Sequence, residues 1–260
     1  MLQTVDLRFA YGSVQVLRDV SIAIAERALV GILGPNGSGK TTLLRVLSGA
    51  LKPHAGRVML DDVDLARWPR TAIARRVAVV PQETHLAFDY TVLELALMGR
   101  YPHLGAFEVE GPGDIAAALA ALEATGTAHL AARSFQTLSG GEKQRVVIAS
   151  ALAQLQGAEK GTGLAHAGKT RPLLFLDEPT ASLDLHYQIE TARLIRRLHD
   201  SQNVAIVLST HDLRFASAAC DRVVLLREGR VLANGPTREV LTPAAISVLY
   251  DVDAEVLAAW

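Results

Sequence analysis

Cysteine is nearly absent from this chain. Cys220 is the only cysteine among 260 residues, so no internal disulfide bond can form, and a reducing compartment fits the sequence. A single cysteine of this kind is more typical of a small buried hydrophobic side chain than of a redox site. Cys220 therefore receives no functional assignment.

The chain also lacks an excess of charge and a long apolar run. Its formal net charge is −1 and its isoelectric point is about 6.7, which gives no general attraction to nucleic acid or to anionic lipid. No run approaches the roughly 18 apolar residues of a membrane-spanning helix. Asp6 lies early in an N-terminus without the compact apolar region of a signal peptide. We therefore expect any role at a membrane to come through a partner.

Paired histidines of the metal-binding kind are missing too. The eight histidines are scattered, and no two of them have the i, i+4 or H-x₃₋₅-H spacing of a metal site. The basic clusters at 70–76 and 193–197 are typical of solvated helix faces. Hydrophobic residues make up 50% of the chain, so one large domain or two small ones can bury a sizeable core.

A glycine-rich stretch at 34–42 fits the phosphate-binding pattern G-x-x-x-x-G-K-[ST]. The apolar run at 28–33 predicts a buried strand before it, and the run at 43–47 predicts a helix after it. Such a loop opens onto a helix N-terminus, where free N–H groups and the positive dipole end face an anion. Lys40 would reach the β- and γ-phosphates, and the Thr41 hydroxyl would complete a Mg²⁺ shell. The candidate nucleotide-binding residues are Gly34, Pro35, Asn36, Gly37, Ser38, Gly39, Lys40, Thr41 and Thr42.

A second apolar run, at 173–178, ends in two carboxylates. A continuous apolar run is typical of a strand buried on both faces, and ligands bind at the carboxyl ends of such strands in open α/β sheets. Asp177 would hold Mg²⁺ directly or through water, while Glu178 would orient and deprotonate the attacking water. The alternative is a strand followed by an acidic turn, and the phosphate loop makes it the weaker interpretation.

A third stretch, at 138–145, predicts a second anion site. Ser139, Gly140 and Gly141 form a polar cap that leads into the apolar helix at 146–152. The N–H groups at the start of that helix would face an anion as they do in the first loop.

These stretches resemble the motifs of the ATP-binding cassette (ABC) ATPases, and six motifs match in order along nearly the whole chain. In that family, 34–42 corresponds to the Walker A loop, 138–145 to the signature motif and 173–178 to Walker B. The resemblance adds an adenine-stacking aromatic, a Q-loop glutamine, a D-loop aspartate and a switch histidine, at Tyr11, Gln82, Asp184 and His211.

The resemblance implies ATP hydrolysis with Mg²⁺ by a homodimer that sandwiches two ATP molecules. Ser139 and Gly141 of one copy would cap the ATP bound to the other copy, and Asp184 would relay between the two sites. Hydrolysis would then be coupled to opening and closing of the interface. The implied catalytic residues are Lys40, Gln82, Glu178 and His211, and the implied Mg²⁺ ligands are Thr41, Gln82 and Asp177.

The predicted fold is α/β, a P-loop NTPase of the RecA-like kind with a mostly parallel sheet. An antiparallel β part is expected at the N-terminus, with a turn at 11–13. The domain is expected to combine a sheet core at 1–82 and 156–260 with an inserted helical signature subdomain at about 83–155. Within the inserted part, Asp114 is expected to cap a helix over 114–122. The glycine-rich segment at 156–170 predicts a solvated loop, with a regulatory insert as the alternative.

The string Gly-Arg-Tyr-Pro-His at 99–103 is similar to that of importer ATPases for iron–siderophore, haem and cobalamin. Glu142 and the runs at 151–155 and 182–186 look most like the haem branch. The resemblance implies transmembrane permease subunits, a substrate-binding protein acting through them, and a peripheral location on the cytoplasmic face of the membrane. The alternatives are another transporter class, including exporters, a nucleic-acid-acting ABC protein and a P-loop kinase. The absence of coiled coils and of a second cassette argues against nucleic acid as a partner, and a kinase leaves 138–145 and His211 unexplained.

Overall fold

The computed structural model describes residues 1–84, 86–157, 171–181 and 183–253. Its strands are β1 (Leu2–Tyr11), β2 (Val14–Val20), β3 (Ala23–Ile24), β4 (Leu29–Leu33), β5 (Ala55–Leu60), β6 (Val63–Asp64), β7 (Val77–Val80), β8 (Leu173–Asp177), β9 (Ala205–Thr210), β10 (Arg222–Arg227) and β11 (Arg230–Pro236). Its α-helices are α1 (Lys40–Leu47), α2 (Arg70–Arg76), α3 (Val92–Met98), α4 (Pro112–Ala124), α5 (Gly140–Leu155), α6 (Leu185–Ser201), α7 (Leu213–Ala219), α8 (Thr237–Val240) and α9 (Pro243–Tyr250). Ser182 of the predicted D-loop and residues 158–170 of the predicted loop lie outside the described residues.

The chain divides into two compact units. The first combines Met1–Trp68 with Ala205–Trp260, and the second is Pro69–Val204. The boundaries predicted from the sequence, at about 82 and 156, separate the sheet core from the helical part and stay a prediction.

The first unit contains the expected antiparallel β part. Its strands follow the order β2-β1-β5-β6, and β3 pairs with the start of β1. The hairpin between β1 and β2 turns at Gly12, whose φ of 56° lies in the left-handed region that suits glycine. The predicted turn is therefore confirmed.

The same unit contains strands in the order β11-β10-β4-β9. The β10–β4 and β4–β9 pairs are parallel, while β10 and β11 form an antiparallel hairpin. Every residue of β4 and of β9 is buried, which explains why β4 and the first four residues of β9 are apolar or small in the sequence.

The second unit contains the parallel pair β7–β8 and the helices α2 to α6. The α3, α4 and α5 helices pack against one another. Both α3 and α5 begin with a capping box, in which a Thr or Ser hydroxyl and a Glu carboxylate satisfy each other's backbone N–H groups. The helical character predicted for the inserted part at about 83–155 is confirmed, and so is the α/β fold class.

Two sequence predictions about helices are wrong. Asp114 does not cap α4, because the helix already begins at Pro112 with Gly111 as its N-cap. Proline is favoured at the first helical position, and Asp114 instead accepts a hydrogen bond from the Gly111 N–H at 3.1 Å. Arg76 does not lie on a solvated face, because only 1% of it is exposed. It is the last residue of α2, and its guanidinium donates to the Arg171 carbonyl at 3.3 Å.

Candidate functional site

The phosphate loop joins β4 to α1, as the sequence predicts. Gly37 and Gly39 have φ angles of 79° and 103°, a backbone conformation that strongly favours glycine. Gly39 is the N-cap of α1, which begins at Lys40. The first N–H groups of α1 therefore face the loop, the arrangement that a phosphate group requires.

The loop is tight and contains two polar groups suited to an anion. The Lys40 ammonium is buried and donates to the carbonyls of Gly34 at 2.9 Å and Pro35 at 3.2 Å. The Ser38 hydroxyl is buried, and within the described part of the chain it has no hydrogen-bond partner. A Cβ on Gly34 would lie 2.1 Å from the Leu226 carbonyl oxygen and 2.6 Å from Ser38 Oγ. The loop therefore fits a phosphate group, which can accept from both Lys40 and Ser38.

Two further predicted residues belong to the first unit. Tyr11 ends β1 and is 47% exposed, with its ring edge-on to Phe9 at a centroid distance of 4.9 Å. His211 follows β9 directly. Leu33 pairs with Thr210 in the parallel β4–β9 ladder, so the phosphate loop and His211 leave adjacent strands at the same edge. In α/β sheets this edge is where ligands bind.

The second unit repeats this arrangement with the predicted carboxylates. Val80 pairs with Leu176 in the parallel β7–β8 ladder, so the segment leading to Gln82 and the pair Asp177–Glu178 also leave adjacent strands at one edge. Both carboxylates are buried, with exposures of 5% and 7%. Buried acidic side chains are rare outside ion pairs and functional sites.

Glu178 has an unusual backbone conformation. Its φ is 47°, in a region that is uncommon for a residue other than glycine, asparagine or aspartate. Its carbonyl accepts a hydrogen bond from the Ala181 N–H at 3.0 Å, which closes a turn directly after β8. Such conformations cluster at functional sites, where the surrounding structure compensates their cost.

The predicted signature residues form the N-terminus of α5. Ser139 is the N-cap, and its Oγ accepts from the Glu142 N–H at 3.3 Å. The Ser139 N–H donates to Glu142 Oε2 at 2.9 Å. Hydrogen bonds from the Ser139 backbone and side chain hold the pKa of Glu142 below its ordinary value. Gly140 is exposed, so a ligand can approach this end of the helix.

Tyr187 links the signature motif to the predicted D-loop. A Cβ on Gly141 would lie 2.4 Å from the Cδ1 atom of the Tyr187 ring. Asp184 is the N-cap of α6, and it accepts from the Tyr187 N–H at 3.2 Å. Arg145 on α5 also pairs with Glu190 on α6 at 2.9 Å. The starts of α5 and α6 are therefore held together within one chain.

A model of the ABC transporter family matches residues 17–181. The chain belongs to the ABC transporter family. The hemin import ATP-binding protein HmuV of Pseudomonas entomophila is 41% identical to this ABC protein, over 97% of this chain and 93% of that one. The cobalamin import ATP-binding protein BtuD of Halobacterium salinarum is 42% identical over 91% of this chain. The chain spans 55% of that relative's length.

Solved structures agree with this assignment. An inward-facing transporter described as being of the metal-chelate type has a TM-score of 0.80 and 30% identity, covering 95% of this ABC protein and 87% of that chain. A dimeric ATP-binding cassette in a post-hydrolysis state with ADP and phosphate has a TM-score of 0.73 and 26% identity. The similarity covers 92% of this chain and 99% of that cassette. Among the described helices of this protein, none combines the length and hydropathy of a membrane span.

Arg100 and His103, from the Gly-Arg-Tyr-Pro-His string of this ABC protein, bind the C-terminal end of α5. Arg100 Nη1 donates to the carbonyls of Ala153 at 2.6 Å and Gln156 at 2.7 Å, and Arg100 Nε donates to Asp114 at 3.0 Å. His103 Nε2 lies 2.7 Å from the Gln154 carbonyl. Burial lowers the pKa of His103, which favours the neutral ring as the donor. The string therefore satisfies the last carbonyls of the signature helix.

Sequence reasoning missed Tyr187 and assigned no structural role to Arg100. Tyr187 lies three residues after Asp184, but no local pattern indicates that its ring covers Gly141 on another helix. Arg100 did belong to a string that the family resemblance singled out. The two carbonyls to which it donates, those of Ala153 and Gln156, are more than 50 residues away in the chain, and only the structure identifies them.

The described residues contain no cluster of three or more His, Cys, Asp or Glu side chains that could hold a metal ion. This does not conflict with a role for Mg²⁺ in an ABC ATPase. Mg²⁺ is usually bound through one or two carboxylates and the substrate phosphates rather than by a protein cage. The predicted ligands Thr41, Gln82 and Asp177 each carry a side-chain oxygen, the kind of ligand that this ion prefers.

Proposed function

We propose that this ABC ATPase powers an importer of a metal chelate, within the class of haem, iron–siderophore and cobalamin. The similarity to hemin import ATPases over more than 90% of both chains supports this proposal. The related transporter of metal-chelate type supports the same class. The ATPase subunit of a transporter need not contact the cargo, so its residues do not distinguish among these chelates.

ATP is the substrate of the loop at 34–42. The triphosphate would replace the carbonyls of Gly34 and Pro35 as the partner of the Lys40 ammonium and would accept from the buried Ser38 hydroxyl. Phosphate is a stronger acceptor for an ammonium group than a neutral carbonyl, because the hydrogen bond is charge-assisted on both sides. Tyr11 has an exposed ring that would stack on adenine.

Mg²⁺ would be held by Thr41, Gln82 and Asp177 together with the phosphates. When bound, the ion would supply positive charge that offsets the negative charge of the phosphates. Asp177 suits this role because it is a buried carboxylate at the carboxyl end of a strand. Gln82 follows the adjacent strand. Its contact with Mg²⁺ would couple the state of the nucleotide to the helical part of the chain.

Glu178 acts as the general base of hydrolysis. Its carboxylate takes a proton from the attacking water as the water oxygen bonds to the γ-phosphorus, and the bond to the ADP oxygen breaks. His211 contacts the γ-phosphate, and Lys40 stabilises the charge that develops there. The position of Glu178 directly after Asp177, in a strained turn, supports this division of roles.

Two copies complete each other's sites. Ser139, Gly140 and Gly141 at the N-terminus of α5 would cap the ATP bound to the second copy, and Asp184 would relay between the sites. A dimer of this kind buries two ATP molecules in one isologous interface. Cleavage of the γ-phosphate adds charge repulsion and reopens that interface, which delivers the mechanical step of transport.

The partners are transmembrane permease subunits, through which a substrate-binding protein would act. The chain would then be a peripheral subunit on the cytoplasmic face of the membrane. Nucleic acid is not a partner, in keeping with a net charge of −1.

The test is co-expression of the chain with a permease and its binding protein, followed by ATPase assays in proteoliposomes. We expect the binding protein loaded with haem, a ferric siderophore or cobalamin to stimulate hydrolysis, and the unloaded protein to have less effect. Transport of the cargo is measured in the same proteoliposomes, and movement from the face that carries the ATPase subunit to the opposite face would contradict the import assignment. Stimulation by single-stranded or double-stranded nucleic acid would contradict the assignment to transport.

A further inference from the structure

Helix α9, the last helix in the part of the chain that the structure describes, contacts the main chain at His211. The Tyr250 hydroxyl donates a hydrogen bond to the His211 carbonyl at 2.9 Å, across a sequence separation of 39 residues. Tyr250 is the last residue of α9, and no motif of the sequence includes it. The contact therefore connects the end of the described chain to the residue proposed to bind the γ-phosphate.

Several contacts fix the position of α9. Thr242 caps its N-terminus, and Leu249, only 1% exposed, anchors its apolar side. Arg227, the last residue of β10, donates to the Val248 carbonyl and lies 3.8 Å from the Asp251 carboxylate. A helix held at both ends keeps the Tyr250 ring in place, so its hydroxyl can restrain another segment.

The main chain on the far side of His211 is also restrained. The Asp212 N–H donates to Thr210 Oγ1 at 3.0 Å. The Asp212 carboxylate in turn accepts from the N–H groups of Arg214 and Phe215 at 2.8 and 3.0 Å, which caps α7. Tyr250 adds a restraint from a different element, on the carbonyl of His211 itself. Because a peptide plane turns only about φ and ψ, holding this carbonyl limits the rotation that would redirect the His211 side chain.

We propose that Tyr250 is a positioning residue for ATP hydrolysis, which acts by orienting the main chain of His211. The inference rests on the proposed role of His211 at the γ-phosphate. Catalytic groups must be held close to their reactive geometry, and the residues behind them provide that constraint. Tyr250 does not touch the substrate in this role, and its effect passes entirely through His211.

The Tyr250→Phe variant removes the hydroxyl and keeps the ring. A net hydrogen bond of this kind changes an equilibrium or a rate by about two- to tenfold. We therefore expect kcat for ATP to fall by about two- to tenfold, while KM changes by less than about twofold, because the phosphate loop and Tyr11 are unaltered. The thermal unfolding midpoint should stay close to that of the unmodified protein.

A double-mutant cycle with His211→Ala separates positioning from a general structural effect. If Tyr250 acts through His211, Tyr250→Phe has no further effect on the residual turnover of His211→Ala. Single-turnover assays with excess full-length protein and labelled ATP make this slow residual reaction measurable. Tyr101→Phe is the matched control, because it removes an exposed hydroxyl from the other unit, and it should leave turnover unchanged.

Three results would overturn the inference. In the first, Tyr250→Phe hydrolyses ATP at the rate of the unmodified protein, although His211→Ala does not. In the second, Tyr250→Phe lowers the rate by the same factor with and without His211, which indicates a structural effect independent of that residue. In the third, His211→Ala keeps full turnover, which removes the proposed role of His211 and this inference with it.

Discussion

The Gly229 N–H donates a hydrogen bond to the Ser38 carbonyl at 3.0 Å. Gly229 lies in the turn between β10 and β11, and its own carbonyl accepts from the Arg18 N–H at 2.8 Å. The phosphate loop is therefore bound to a hairpin that is nearly 200 residues away in the sequence. A Cβ on Gly229 would lie 2.1 Å from the Val16 carbonyl oxygen, and its φ is 74°. Close packing and backbone conformation both demand glycine here.

Gly229→Ala should therefore weaken both the fold and nucleotide binding. The new methyl group forces the hairpin away from Val16, and the hydrogen bond to Ser38 is lost or lengthened as a result. Placing alanine in the left-handed backbone conformation costs roughly 1–2 kcal/mol by itself. Because of the added crowding, we expect the free energy of unfolding to fall by more than this. The affinity for ATP should fall as well. Urea denaturation and titration with a fluorescent ATP analogue measure the two effects.

Gly126→Ala is the matched control for this substitution. Gly126 has a φ of 71°, and a Cβ there would meet no atom within 4 Å. Alanine at this position incurs the same backbone strain without crowding, so the free energy of unfolding should fall by only about 1–2 kcal/mol. The affinity for ATP should not change. Equal effects of the two substitutions on stability and affinity would show that Gly229 does not hold the phosphate loop.

Glu178→Gln tests the general base. The amide keeps the size of the side chain but cannot accept the proton from water, so we expect turnover to fall by about 10²-fold or more, the low end of general-base effects. ATP should still bind and should now stabilise a dimer, detectable by size-exclusion chromatography with light scattering. Glu123→Gln, at an exposed carboxylate of α4, serves as the control and should hydrolyse ATP normally. Near-normal turnover in Glu178→Gln would refute the assignment.

Mixing two inactive variants tests whether the signature motif acts across the dimer. A dimer of one Lys40→Ala copy and one Ser139→Arg copy has one intact site and one site with both defects. We expect the mixture to regain part of the ATPase activity that each variant lacks. Two results together would contradict a composite site. One is a turnover rate per molecule of the unmodified chain that does not change with protein concentration, and the other is no recovery of activity in the mixture.

Lower turnover in a Ser139 variant could come from loss of the helix cap rather than from loss of a contact with ATP. A substitution at Thr91 separates these two explanations. Thr91 accepts from the Glu94 N–H at 3.2 Å and caps α3 in the same way as Ser139 caps α5. Thr91→Ala and Ser139→Ala should each cost about 1 kcal/mol of stability. Only Ser139→Ala should lower basal turnover.

The stability contribution of Glu142 should depend on pH. The Ser139 backbone and side chain hold the pKa of Glu142 below its ordinary value, so the unfolded chain binds more protons than the folded one at acidic pH. The contribution is therefore fully present above about pH 4.3, the ordinary value for glutamate, and is lost as the pH falls through the lower folded-state pKa. Urea denaturation between pH 7 and pH 3.5 should show the stability difference from Glu142→Ala shrinking at the acidic end.

Glu94 provides an independent replicate, because hydrogen bonds from Thr91 lower its pKa in the equivalent capping box of α3. Glu94→Ala should follow the same trend with pH. A stability difference that stays constant down to pH 3.5 in both variants would contradict this origin of the effect.

Much of the fold was predictable because its signals are local. The run at 28–33 and the glycines at 34–39 predict a strand and a loop from adjacent residues, and the structure contains both. The polar cap predicted at Ser139, Gly140 and Gly141 follows from residues directly before an apolar helix, and Ser139 is the N-cap of α5. Where local signals compete, the prediction failed: Pro112 begins α4 earlier than Asp114 would.

The sequence by itself determined the family, the order of the motifs and the type of most elements, because each depends on residues that are neighbours in the chain. Only the tertiary structure decided which distant groups support those motifs. Examples are Gly229 at Ser38, Tyr250 at His211 and Arg100 at the end of α5. Each of these contacts joins segments brought together by burial of apolar surface, and a single hydrogen bond between them leaves no periodic pattern in the sequence. The same holds for the burial of Arg76, which depends on where α2 ends against its neighbours.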